Sequence, residues 1–174
     1  MNERFLRIAA MSAALAWLVL GLFPAATDAR RGKGPGHEVQ WTGTSPPINE
    51  THLFEGEINR RGQPVGFHSR PGGKDPENAR VVAVTDGPNR AGVYGAEVEV
   101  RESGGSWLRK RSTMYPDAMG RADVVRAVLH AYENRTTGAS QKFSGPSGRG
   151  FTIDGYLLPD GRINTAFPIY RKDQ

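Results

Sequence analysis

The sequence predicts an α+β fold, an antiparallel sheet with packed helices, and three observations carry that reading. Two segments, GVYGAEVEVRE and FTIDGYLL, read as strands, each followed by a turn and a partner strand. One segment, Val124 to Tyr132, carries an apolar stripe at helical spacing. Strand and helix do not alternate regularly along the chain, which argues against a parallel sheet.

Taken in order, the chain opens with MNERFLR and an apolar run from Ile8 to Phe23, 16 residues long. A membrane-spanning helix needs about 20. The run ends in PAATDA, where Thr27 and Ala29 supply the small residues a signal peptidase requires. Residues 1–29 are therefore predicted to be a signal peptide, and the mature protein to be secreted or periplasmic. Residues 30–47, RRGKGPGHEVQWTGTSPP, read as a flexible leader containing His37. The domain is predicted over 48–174.

Within it, Leu53, Phe54 and Ile58 suggest a short helix over Asn49–Ile58, and SRPGGKDPENA reads as a loop. RVVAVTDG reads as a strand. In GVYGAEVEVRE, Val98 and Val100 share one face while Glu97 and Glu99 share the other, a half-buried strand. A Gly104-Gly105 turn leads to the partner strand SWLRKRSTMY, which Pro116 ends. The following helix presents Val124, Val125, Val128, Leu129 and Tyr132, with His130 at its edge as a structural histidine. TTGASQKFSGPSGRG reads as a long glycine-rich loop, and FTIDGYLL, PDG and RINTAFPIY as a closing hairpin.

The chain has 174 residues and a net charge of +5. Removing residues 1–29 takes away Glu3, Arg4, Arg7 and Asp28 and leaves that charge unchanged. A basic exported domain is attracted to polyanions such as nucleic acid. With no cysteine, disulfides, thiolate nucleophiles and cysteine-ligated metals are excluded. The fold rests on its apolar core.

Two of the four histidines, His52 and His68, flank the polar segment INRRG. With Glu55 and Glu57 they form a conceivable zinc set, but their spacing matches neither HExxH nor a related motif. G-x-S-x-G and GxxxxGK[ST] are both absent, so a serine nucleophile of that type and nucleotide-dependent phosphoryl transfer are disfavoured. Cleavage of RNA by its own 2′-hydroxyl needs less: a base, an acid and a cation, which two histidines and a lysine supply. Lys110 is the only lysine between Lys74 and Lys142 and lies on a predicted strand. By residue type alone, solvated histidines, a solvated strand lysine and ordinary hairpin residues Thr165 and Phe167, the latter in the core, are the better readings.

The segments HLFEGEINRRGQPVGFHS, KRSTMYP and GYLLPDGRINTAFPIY, in this order, resemble the bacterial branch of the EndoU endoribonucleases. That family includes animal poly(U)-specific and coronaviral uridylate-specific enzymes. The resemblance covers about residues 50–170. Its carrying pattern is H-[IL]-x-x-G-[DE], a G-x-H sixteen residues after the first histidine, K with S or T, and T-x-[YF]-P. It implies His68 as general base, His52 as general acid and Lys110 as the catalytic lysine. Gly66 matches a glycine whose amide approaches the phosphate. Ser112 or Thr113 resembles the reader of the uracil edge, with Thr165 nearby, and Phe167 stands where the family usually has tyrosine. Tyr170 is the candidate to supply the missing hydroxyl. Val65 replaces one of the paired glycines that some members carry.

The resemblance implies an EndoU/barnase-like toxin nuclease architecture and a metal-independent, cofactor-free endoribonuclease. Such an enzyme cleaves single-stranded RNA at uridylate, transfer RNA among the candidate targets, and leaves a 2′,3′-cyclic phosphate. It also implies a possible antibacterial toxin with a cognate immunity or inhibitor protein. The rivals are a catalytically degenerate EndoU domain that binds RNA or protein, supported by Phe167, and a metal-dependent phosphodiester hydrolase. Arg60 and Arg61 read equally well as cations tracking an RNA backbone and as solvated turn residues.

Overall fold

The computed structural model describes residues 38–136 and 141–173. The expected signal peptide, the leader as far as His37, and residues 137–140 of the expected glycine-rich loop lie outside them. The rest of that leader is hydrogen-bonded to the body. Thr42 N–H donates to Ile48 O (3.0 Å), Ile163 N–H donates to Pro47 O (2.9 Å), and Trp41 lies under the Arg162 guanidinium at 4.1 Å.

The elements follow the expected order, with two differences. A single wide helical turn, Thr51–Glu55, opens the domain. A small hairpin follows, β1 (Glu57–Ile58) with β2 (Pro64–Val65), then an antiparallel sheet of β3 (Ala79–Asp86), β4 (Tyr94–Arg101) and β5 (Trp107–Met114). Helix α1 (Arg121–Glu133) leads to a second antiparallel sheet of β6 (Lys142–Pro146), β7 (Thr152–Leu157) and β8 (Ile163–Pro168). The fold is a mixed α+β one with antiparallel sheets.

The first difference is the short helix expected over Asn49–Ile58. Gly56, at φ +70°, ends it after one turn, and the chain leaves in β1. The second is β6, whose sequence KFSGP lies in a stretch expected to be a loop. Glycine and proline disguise it for two separate reasons. Gly145 faces α1 so closely that a Cβ there would sit 2.0 Å from the carbonyl oxygen of Ala131. Pro146 ends the strand on the edge of the sheet, where no ladder N–H is required.

Alternation in β4 holds as expected. Tyr94, Ala96, Val98 and Val100 are buried, while Glu97 and Glu99 face outward, Glu99 between Arg80 (2.7 Å) and Arg109 (3.1 Å). The stripe of α1 is centred slightly away from the expected line. Val124, Ala127, Val128 and Ala131 are buried, and Val125, Leu129 and Tyr132 flank them. The two alanines let the second sheet lie close against the helix.

Two cores result. One joins α1 and β6–β8 with Ile48, Leu53, Phe54 and Tyr115; the other joins the inner face of β3–β5 with Phe67. The wide turn belongs to the first core through Leu53 and Phe54, and Phe67 anchors the chain after β2 to the second. His52 and His68 therefore stand where the two cores meet.

Gly145→Ala tests the close approach of β6 to α1. The added methyl meets backbone rather than a flexible side chain, so a loss of about 1–3 kcal/mol in urea denaturation is expected. Unchanged stability would show that helix and sheet lie farther apart.

Candidate active site

The wide turn is fixed at both ends before any chemistry enters. Asn49 Oδ1 accepts the His52 N–H at 2.9 Å, and Gly56 N–H closes the turn on Thr51 O at 2.9 Å. Two backbone bonds then join this turn to the second histidine segment: Phe67 N–H to His52 O (2.7 Å) and His68 N–H to Leu53 O (2.9 Å). Gly66 makes this possible. It adopts φ +73°, and a Cβ on it would lie 2.2 Å from His52 O. Phe67 also adopts a left-handed conformation, φ +56°, at a cost of about 1–2 kcal/mol. Full burial of its ring contributes about 1.5–3 kcal/mol and holds it there.

The two imidazoles end with ring centres 6.2 Å apart and exposures of 7% and 9%. Their partners assign their protons. His68 Nδ1 lies 3.0 Å from Thr113 O, a carbonyl that only accepts, so Nδ1 carries hydrogen and Nε2 a lone pair. Ser112 Oγ, 2.9 Å from the same nitrogen, gives its own hydrogen to Phe67 O at 2.8 Å. The His68 pKa is held well below the usual imidazole value, first by burial, then by the charges of Lys110 and His52. His68 is a neutral base.

His52 has a different companion. Its Nδ1 lies 2.7 Å from Glu57 Oε1, so this ring too donates through Nδ1, here to a carboxylate. A positive charge on His52 faces that carboxylate; a positive charge on His68 would face an ammonium. The environments separate the roles of two identical side chains.

Lys110, on β5, donates from Nζ to Gly66 O at 2.9 Å. Burial lowers its pKa to about 8, which leaves it mostly protonated at pH 7 with two N–H bonds unused by Gly66. Phe167, on β8, stands 5.4 Å from the His68 ring, centre to centre. Thr165 Oγ1 is buried without a hydrogen-bond partner among the described residues.

Of the expected residues, the structure joins His52, His68, Lys110, Gly66 and Phe167. Three others depart from expectation. Ser112 lies beside His68 with its hydroxyl hydrogen given to Phe67 O, rather than free for a base. Thr113 contributes its carbonyl; the alternation of β5 turns its side chain to the outer face, beside Thr85, Asp86 and Arg111. Tyr170 gives its hydroxyl to Gly87 O at 3.1 Å and does not replace the one missing from Phe167. Glu57, read from sequence only as a conceivable zinc ligand and a motif position, is the partner of His52. The signal was its position one residue after Gly56, where the turn reverses onto His52.

Among the described residues, no three His, Asp or Glu side chains converge to hold a metal ion. A cleft of about 410 Å³ reaches Glu57 and is lined by Glu77, Glu102 and Arg101 but by neither histidine. Its carboxylates disfavour a phosphate, and the histidine surface is the better candidate site. His130 donates or accepts at Pro146 O (2.9 Å); since a carbonyl only accepts, it donates, as a structural residue.

Charged Lys110 costs the fold on the order of 3 kcal/mol at neutral pH. The penalty is complete below pH 8 and fades as the pH rises from about 8 towards 10.5. Lys110→Met removes the charge and leaves Gly66 O without its donor, a loss of about 1 kcal/mol. A net gain of about 2 kcal/mol is expected, read as a higher melting temperature at pH 7. A lower one would contradict the buried charge.

Comparison with known proteins identifies the family. The family model described as bacterial EndoU nuclease matches residues 48–170. A Bacillus cereus protein named "Toxin" is 32% identical over 131 residues, covering 75% of this chain. The match spans only 24% of that relative. No solved structure matches the chain. The histidine segments, the lysine strand and the closing hairpin all fall within the matched residues, and the chain belongs to the bacterial EndoU nuclease family.

Proposed function

We propose that this protein is a metal-independent endoribonuclease that cleaves single-stranded RNA at uridylate by transesterification. The observation that carries the proposal is the state of His68: a neutral ring, its Nδ1–H held by Thr113 O, with a bare Nε2. That nitrogen takes the proton of the ribose 2′-hydroxyl. O2′ forms a bond to phosphorus, the bond from phosphorus to O5′ breaks, and His52 Nε2 supplies the proton to the departing oxygen. The products are a 2′,3′-cyclic phosphate and a 5′-hydroxyl. Lys110 faces the negative charge that builds on the phosphorane, and Glu57 orients His52 and stabilises the imidazolium whose Nε2–H is the proton given up. DNA lacks the attacking hydroxyl and resists.

Uridine preference falls to the β8 residues, since Ser112 and Thr113 are engaged elsewhere. Thr165 Oγ1, buried and unpaired, suits the uracil edge, and Phe167 offers a ring for the base or sugar. The amide of Gly66 is the candidate phosphate contact, and the exposed Arg60 and Arg61 are candidates to track the backbone. Family membership supports the EndoU/barnase-like architecture. The apolar run before Ala29 supports export. The relative named "Toxin" supports an antibacterial role with a cognate inhibitor protein as partner.

The test uses short RNAs with a single U, C, A or G, incubated in EDTA with residues 30–174 and with His68→Ala. Cleavage after U to a cyclic phosphate, about 10²- to 10⁴-fold slower in the variant, is expected. Absence of cleavage by folded protein would overturn the proposal. Across pH, Lys110 gives up its proton at about 8, so kcat/KM should fall through that range. On the acid side the plateau should extend well below 6.5, because His68 stays neutral there. An acid limb at the ordinary imidazole value would argue against His68 as base.

A further inference from the structure

The face of the second sheet turned away from α1 carries a run of rings that the proposed reaction does not use. Phe143, Ile153 and Ala166 point into the core, so the alternating residues Lys142, Asp154, Tyr156, Thr165 and Phe167 share the opposite face. Across it His68 lies 5.4 Å from Phe167 at 30°, and Phe167 lies 6.4 Å from Tyr156 at 26°. The first pair is tilted and the second stacked, and the rings continue from the histidine pair onto open surface. Tyr156 is 43% exposed, one of four large hydrophobic residues so placed among the described residues. Lys142 closes the run: its Nζ lies 5.9 Å from the Tyr156 ring centre and 2.8 Å from Asp154.

An exposed aromatic ring beside a cation, continuous with a nuclease site, matches what single-stranded nucleic acid requires. Bases stack on rings of any sequence context, and cations follow the backbone. The 6.4 Å between Phe167 and Tyr156 exceeds the about 3.4 Å between stacked bases. A strand crossing both rings is therefore splayed, one base to each ring, as single-stranded RNA often is when bound.

We propose that Tyr156 is the stacking platform for a second nucleobase, that of the nucleotide adjacent to the one at Phe167, with Lys142 beside it to meet a phosphate oxygen. The proposal rests on the reading of the site as an RNA-cleaving one and deepens it. The substrate is recognised as at least two nucleotides, and the second is held by its π-face, with little regard to which base it carries.

The test combines Tyr156→Ala and Tyr156→Phe with four-nucleotide RNAs containing one uridine. The neighbouring nucleotide is either intact or abasic, on the 5′ or the 3′ side. For the wild type, removing one neighbouring base should lower kcat/KM about ten-fold, and the side that matters fixes the strand direction. Tyr156→Ala should show the same fall on the intact RNA and no further fall on that abasic RNA; Tyr156→Phe should behave as wild type. Equal rates for Tyr156→Ala and wild type on intact RNA would overturn the proposal, as would an alanine effect that persists on both abasic RNAs. Affinity for the uncleavable 2′-O-methyl oligonucleotide is measured in parallel. If wild type cleaves nothing, the proposed reaction fails, but a roughly ten-fold weaker binding by the alanine variant alone still supports the platform. Equal affinities, or no binding by wild type, overturn it.

Discussion

The hydrogen bond from Phe67 N–H to His52 O, 2.7 Å long, is the constraint on which the rest of the site depends. It joins two segments that belong to different cores and fixes the two imidazoles 6.2 Å apart. It exists only because Gly66 has no Cβ and because the buried Phe67 ring holds a left-handed backbone in place. The same glycine offers its carbonyl to Lys110. One residue without a side chain thus sets the positions of both histidines and the lysine, and a substitution there would disturb all three together.

Electrostatics then assigns the roles that geometry leaves equal. Both rings donate through Nδ1, which leaves Nε2 as the nitrogen of each ring that can meet a substrate. His68 has neutral acceptors and a nearby ammonium, and burial disfavours its charge. His52 has a carboxylate. Burial also weakens the hold of Lys110 on its proton, at a cost to stability that the proposed reaction would account for: a desolvated ammonium interacts more strongly with a developing phosphorane charge than a solvated one.

The strands and helix were legible wherever a single rule governed a segment. Tyr94 to Val100 alternate because one face is buried, and Val124 to Ala131 recur at helical spacing because one stripe is. Legibility failed where two demands met at one residue. Gly145 and Pro146 spell a loop locally, yet they form a strand, because the glycine admits the Ala131 carbonyl and the proline ends an edge. His52, His68 and Lys110 were singled out through the family pattern, since their chemistry has no periodicity. Ser112 and Thr113 were misplaced because sequence shows residue type without showing which face of β5 each side chain takes. The role of Glu57 needed the reversal at Gly56, a tertiary feature.

The central claim is that His68 stands ready as a neutral base protonated at Nδ1 while His52 is paired with a carboxylate. Nitrogen-15 NMR of the histidine rings reads this directly. At pH 7 the account predicts a bare Nε2 and protonated Nδ1 on His68, with protonation of the ring only well below pH 6.5. A His68 that carries its proton on Nε2, or that titrates at the ordinary imidazole value, would contradict it.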